Sequence, residues 1–78
     1  MATYKFPQFN VEISDPVVSI NMNTIGDKAI DKLLSVDITL VVPGAKFGVR
    51  MEDMAYTDTW DDSDLPAMVD IALEAFEV

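Results

Sequence analysis

Apolar and polar residues alternate with period two through the first two thirds of the chain, and only near the end does the spacing change to that of a helix. Phe9, Val11 and Ile13 fall on one side with Asn10 and Glu12 on the other; after Asp15-Pro16, Val18, Ile20 and Met22 alternate with Ser19, Asn21 and Asn23. This is the pattern of two half-buried strands joined at a turn. Tyr4 and Phe6 suggest a short extra strand ahead of Pro7.

The segment SVDITLVVPGAKFGVRME reads as an antiparallel hairpin. With Pro43-Gly44 as the turn, Leu40 faces Phe47, Ile38 faces Val49 and Val36 faces Met51, while Asp37 meets Arg50 on the other side. A slip of one residue would set apolar against polar throughout, so the register is strongly specified. Proline presets φ at the first turn position and glycine accepts a positive φ at the second. Beyond Met51 the apolar parity shifts to Met54 and Tyr56, with Glu52-Asp53 at the shift, which implies a bulge or the strand's end.

Residues 25–34 fit two patterns. Ile25, Ala29, Ile30, Leu33 and Leu34 make a helical stripe, whereas Ile30, Leu34 and Val36 extend the next strand. The reading favoured is a short helix or turn followed by an early strand start. The C-terminal segment is the clearest helix: Leu65, Val69, Ala72, Leu73 and Phe76 form a stripe that Met68, Ile71, Ala75 and Val78 widen, opposite Ala67, Asp70, Glu74 and Glu77. The expected architecture is a single α+β domain over 1–78, a small antiparallel sheet of about four strands with the C-terminal helix packed on one face.

Charge changes this picture at one end of the chain only. The net charge of the 78 residues is −9. Residues 1–50 hold five acids and all five bases and are neutral; residues 51–78 hold nine acids and no base. A single-sign field of that kind steers association with cations and repels nucleic-acid phosphates, so direct nucleic-acid binding is not expected. The N-terminal stretch MATYKFPQFN has no basic segment followed by an apolar core, and no apolar run approaches the length of a membrane span. A cytoplasmic protein without membrane contact is the resulting expectation, the host cytoplasm if the chain is phage encoded.

Candidate chemistry is sparse. With no His and no Cys, the usual general base, thiol nucleophile and imidazole or thiolate metal ligands are absent, and neither an enzyme nor a cofactor is expected. The stretch TDTWDDSDLP holds Asp58, Asp61, Asp62 and Asp64 around Trp60, the only tryptophan. An EF-hand loop begun at Asp58 would place Trp60, Ser63 and Val69 where Asp, Gly and Glu are required, so no metal site is assigned. Asp62-Ser63-Asp64 ahead of Pro66 instead resembles a helix start, with Ser63 as the expected N-cap and Asp62 as the alternative.

Two functions of different class fit these features. In the first, Asp58, Asp61, Asp62, Asp64, Asp70, Glu74 and Glu77 supply an acidic field and Tyr56 and Trp60 an apolar anchor for a protein partner with a basic, nucleic-acid-binding surface. Such a protein is a nucleic-acid mimic or inhibitor, and in size and charge this chain resembles compact acidic proteins that phages and mobile elements encode, a likeness of composition alone. In the second, the chain is a structural or assembly subunit, a homo-oligomer or virion component joined through the apolar helix face and the sheet edges. Trp60 has its own alternative: folding back onto the sheet and locking the loop before the helix.

Overall fold

The computed structural model describes residues 2–56 and 60–78. Its elements are β1 (Thr3–Lys5), β2 (Glu12–Ser14), β3 (Val17–Lys28), β4 (Leu33–Val42), β5 (Ala45–Ala55) and α1 (Leu65–Leu73), the last continuing into a 3-10 turn over Glu74–Phe76. All strand pairs are antiparallel, in two sheets: a short β1–β2 pair and a three-stranded sheet in the order β3-β4-β5. The helix packs against the main sheet, giving the expected α+β class.

The hairpin has the register that its side-chain pattern dictates. Leu40 pairs with Phe47, Ile38 with Val49, Val36 with Met51 and Asp37 with Arg50. Gly44 has φ 82°, which after Pro43 is the geometry of a type II turn. The parity shift after Met51 is a bulge: Leu34, two residues before Val36, pairs with Met54, three residues after Met51, and Asp53 takes φ 56° to absorb the extra length.

The even-numbered residues of β4, Leu34, Val36, Ile38 and Leu40, are the floor of the core. Val49, Met51 and Met54 from β5, Ile13 from β2, Phe6 from the β1–β2 connection and Leu65, Val69 and Leu73 from α1 complete it, all of them buried. Because the apolar side chains lie on one face, the other face of the sheet is left to solvent, as antiparallel sheets allow.

Two segments depart from the alternation pattern. Of Phe9, Val11 and Ile13, only Ile13 lies in a strand. Pro7 and the bond from Phe9 N–H to Phe6 C=O turn the chain there, so Phe9 packs edge-on against Phe6 and Phe47 from a loop. In residues 25–34 there is no helix. β3 runs to Lys28, a turn carries Ile30 fully into solvent, and β4 begins at Leu33. The stripe through Ile25, Ala29 and Ile30 therefore has no structural counterpart: Asp27 and Lys28 pair with Leu34 and Leu33 instead.

β3 is also interrupted. Its ladder to β4 jumps from Asn21–Asp37 to Gly26–Ser35, so that four residues of β3 oppose one of β4. Arg50 reaches across β4 to fix this bulge, donating to the Thr24 carbonyl at 2.7 Å and to Asp37 Oδ1 at 3.2 Å. Thr24 Oγ1 accepts in turn from the Asp37 N–H. A Cβ on Gly26 would stand 3.3 Å from Arg50 Nη2, so a small residue belongs where the guanidinium passes.

Candidate functional site

The acidic third enters the fold through the turn Asp61–Asp64. Asp61 Oδ1 accepts the N–H and the hydroxyl of Ser63, and Asp64 Oδ2 accepts the Asp61 N–H at 3.0 Å. The hydrogen bonds of Ser63, with its side chain and amide, hold the Asp61 carboxyl below its ordinary range against the opposing effect of burial. The N-cap of α1 is Asp64, with helical dihedrals and no side-chain cap bond. Neither Ser63 nor Asp62 occupies that position. The reason is competition: the Ser63 hydroxyl is directed to Asp61 and the Asp64 carboxylate points back up the chain, so this turn satisfies itself before the helix begins.

Tyr56 and Trp60 flank this turn. The Tyr56 hydroxyl donates to Asp27 Oδ1 at 2.6 Å, and its amide donates to the Lys32 carbonyl, tying the end of β5 to the β3–β4 turn. That hydrogen bond, followed by burial and the Asp27 charge, raises the phenol above its ordinary 10.0. Trp60 is half-buried against the core, so it does fold back, yet it keeps one side free. Together Tyr56, Trp60 and Asp64 line a groove of about 330 Å³ with Ala55, Met68 and Ile71. Ile71 is 68 % exposed there, an apolar side chain that the fold leaves uncovered.

Asp70, Glu74 and Glu77 gather elsewhere, around Tyr4 of β1. Glu77 forms a bridge with Tyr4, and the Val78 N–H donates to the Thr3 carbonyl at 2.9 Å. The Tyr4 phenol is raised first by burial and then by the negative charges of Glu77, Asp70, Asp15 and Glu74. Asp15, which closes the β1–β2 pair by accepting the Ala2 N–H, thus joins an acidic patch that its place in the sequence did not suggest. Its only signal was the turn dipeptide Asp15-Pro16.

The residues expected to act together therefore form two groups. Tyr56, Trp60, Asp61, Asp62 and Asp64 stand at the start of α1, and Asp70, Glu74 and Glu77 at its far end with Tyr4 and Asp15. Asp58 lies outside the described residues. Asp27, whose carboxylate positions Tyr56, belongs to the first group and was not expected from the sequence. Among the described residues, no cluster of acids has the arrangement of a metal site, and no helix is long and apolar enough to cross a membrane. No protein-family model, curated protein or solved structure matches the chain.

Proposed function

We propose that this is a non-enzymatic protein-binding protein, inhibitory in effect, whose acidic C-terminal third engages a cationic, nucleic-acid-binding surface of a partner protein. One observation carries the reading: all eight described acids of residues 51–78 are exposed. Of these, Asp53 meets Lys28 at 3.2 Å, whereas Arg50 is turned to Asp37 in the balanced half of the chain. Exposed charges of one sign set an attractive field for a basic groove, and the adjoining apolar groove with Ile71 and Trp60 supplies short-range contact.

The mode of action follows from physics rather than bond-making. A partner approaches along the acidic field, its on-rate falling as salt screens the charges. The aromatic side chains then exclude water, and the partner's basic surface is closed to nucleic acid. Capture from native lysate at low salt, followed by elution in a salt gradient, tests the proposal. Recovery of nucleic-acid-binding proteins in the salt-eluted fraction, lost with Asp62→Lys and Glu74→Lys, is the expected result. A bound partner whose affinity is indifferent to salt and to both reversals would refute it.

A further inference from the structure

β5 is an outer strand of the three-stranded sheet, and among the described residues its ladder to β4 is the only backbone pairing that 45–55 make. The hairpin turn bonds Ala45 to Val42, so Ala45, Phe47, Val49 and Met51 direct their backbone groups toward β4. Lys46, Gly48 and Arg50 direct theirs outward, and Glu52 opens the bulge that ends this regular stretch. An open edge of this length is a template for another strand.

We propose that this edge pairs with the same edge of a second copy, antiparallel about a two-fold axis at Val49. In that register Lys46 faces Glu52 of the second copy, Gly48 faces Arg50, and both relations occur twice. The outward backbone groups then meet one another, and Phe47 stands opposite Met51 on the core face. Neighbouring registers fail on charge or geometry. Centring the pair on Gly48 sets Lys46 against Arg50, centring it on Arg50 sets two arginines face to face, and centring it on Met51 places the Glu52-Asp53 bulge in the middle of the ladder. Only the Val49 register gives opposite charges with the bulges at the ends.

Gly48 leaves the edge unobstructed. It weakens a strand interior, yet a Cβ there would meet nothing within 4 Å, so the fold of the single chain does not require a glycine. A glycine there leaves room for the long Arg50 side chain of the second copy to lie over the strand. The other edge of the sheet lacks this complementarity: Val17–Asn21 of β3 carries no charge and ends in the bulge held by Arg50. Residues 45–51 hold two of the five bases and no acid, so the dimer brings together the part of the chain on which the net negative charge does not lie.

The test is a charge exchange on two exposed side chains, read by sedimentation across a concentration series and by native mass spectrometry. The unmodified protein forms a reversible dimer. Lys46→Glu and Glu52→Lys each replace two attractive cross-strand pairs by two repulsive ones and weaken dimerisation about tenfold or more. The double variant regains dimerisation, and an equal mixture of the two single variants forms the mixed dimer in preference to either homodimer. A protein that stays monomeric to its solubility limit overturns the proposal, as does a dimer that neither single substitution weakens. Asp62→Lys and Glu74→Lys lie outside the pairing and leave the dimer intact, so loss of partner capture and loss of dimerisation are read separately.

Discussion

Leu73 and Ile71 are two residues apart on α1, and the fold gives them opposite environments: Leu73 is 1 % exposed and Ile71 is 68 % exposed. Replacing each with alanine therefore measures which side of the helix bears the packing. Leu73→Ala removes a side chain enclosed by the core and leaves a cavity, which costs about 2–5 kcal/mol. A domain of 78 residues has a total stability of about 4–12 kcal/mol at the usual ~0.05–0.15 kcal/mol per residue. One truncation thus removes between about a sixth and all of it. In urea, with a slope of about 1 kcal/mol per molar for so small a domain, the midpoint falls by roughly 2–5 M.

Ile71→Ala removes atoms already in water and replaces a β-branched residue with a better helix former, so its stability stays within about 0.5 kcal/mol of the unmodified protein. Equilibrium denaturation followed by far-ultraviolet circular dichroism is the assay, at one fixed protein concentration because self-pairing would add concentration-dependent stability. Equal costs for the two substitutions, or a larger cost for Ile71→Ala, would refute the docking of α1 through Leu65, Val69 and Leu73. The same Ile71 variant, folded but missing its side chain from the groove, should bind the proposed partner less tightly.

Further outcomes follow from the polar contacts. The Asp61 carboxyl titrates below its ordinary 3.8 in the folded protein, so its contribution to stability is present above that value and is lost as pH falls through the folded pKa. Carboxyl NMR titration should show this depression, and Ser63→Ala, which removes the largest contribution, should return Asp61 toward 3.8. Tyr56 ionises above 10.0, so its contribution to stability is fully present below pH 10 and is lost as pH climbs through the folded pKa; Asp27→Asn should bring the phenolate absorbance transition of this tyrosine down. Arg50→Met removes the donors to Thr24 and Asp37 and should cost about 1 kcal/mol in thermal or urea melts. Amide exchange in Asn21–Gly26 should accelerate in that variant, and unchanged protection there would count against Arg50 as the clamp of the bulge.

Much of the fold follows from residue order because side-chain parity is a local property. A strand with one buried face allows a single register, and so the pairing of β4 with β5, the Pro43-Gly44 turn and the bulge after Met51 are all readable from alternation and turn chemistry. The helix stripe through Leu65, Val69 and Leu73 is readable for the same reason. Where two local patterns competed, as in residues 25–34, sequence alone left the choice open, and pairing of Asp27 and Lys28 with β4 decided it. Ser63 is not the cap that its place before the helix suggested, because its side chain turns back to donate to Asp61 instead of accepting from the helix N–H groups.

The candidate site was less legible. Sequence determined that the excess of acid over base is confined to the last third of the chain, a fact independent of folding. Only the tertiary structure separated those acids into a group beside Tyr56 and Trp60 and a group around Tyr4, and only it brought Asp27 and Asp15 to them from the first half. Charge is additive along a chain and can be summed from its letters, whereas proximity depends on which strand edges and helix ends meet. The open edge of β5 belongs to the second kind of fact: its charges are written in residues 46–52, but their outward direction exists only once β4 has taken the other side.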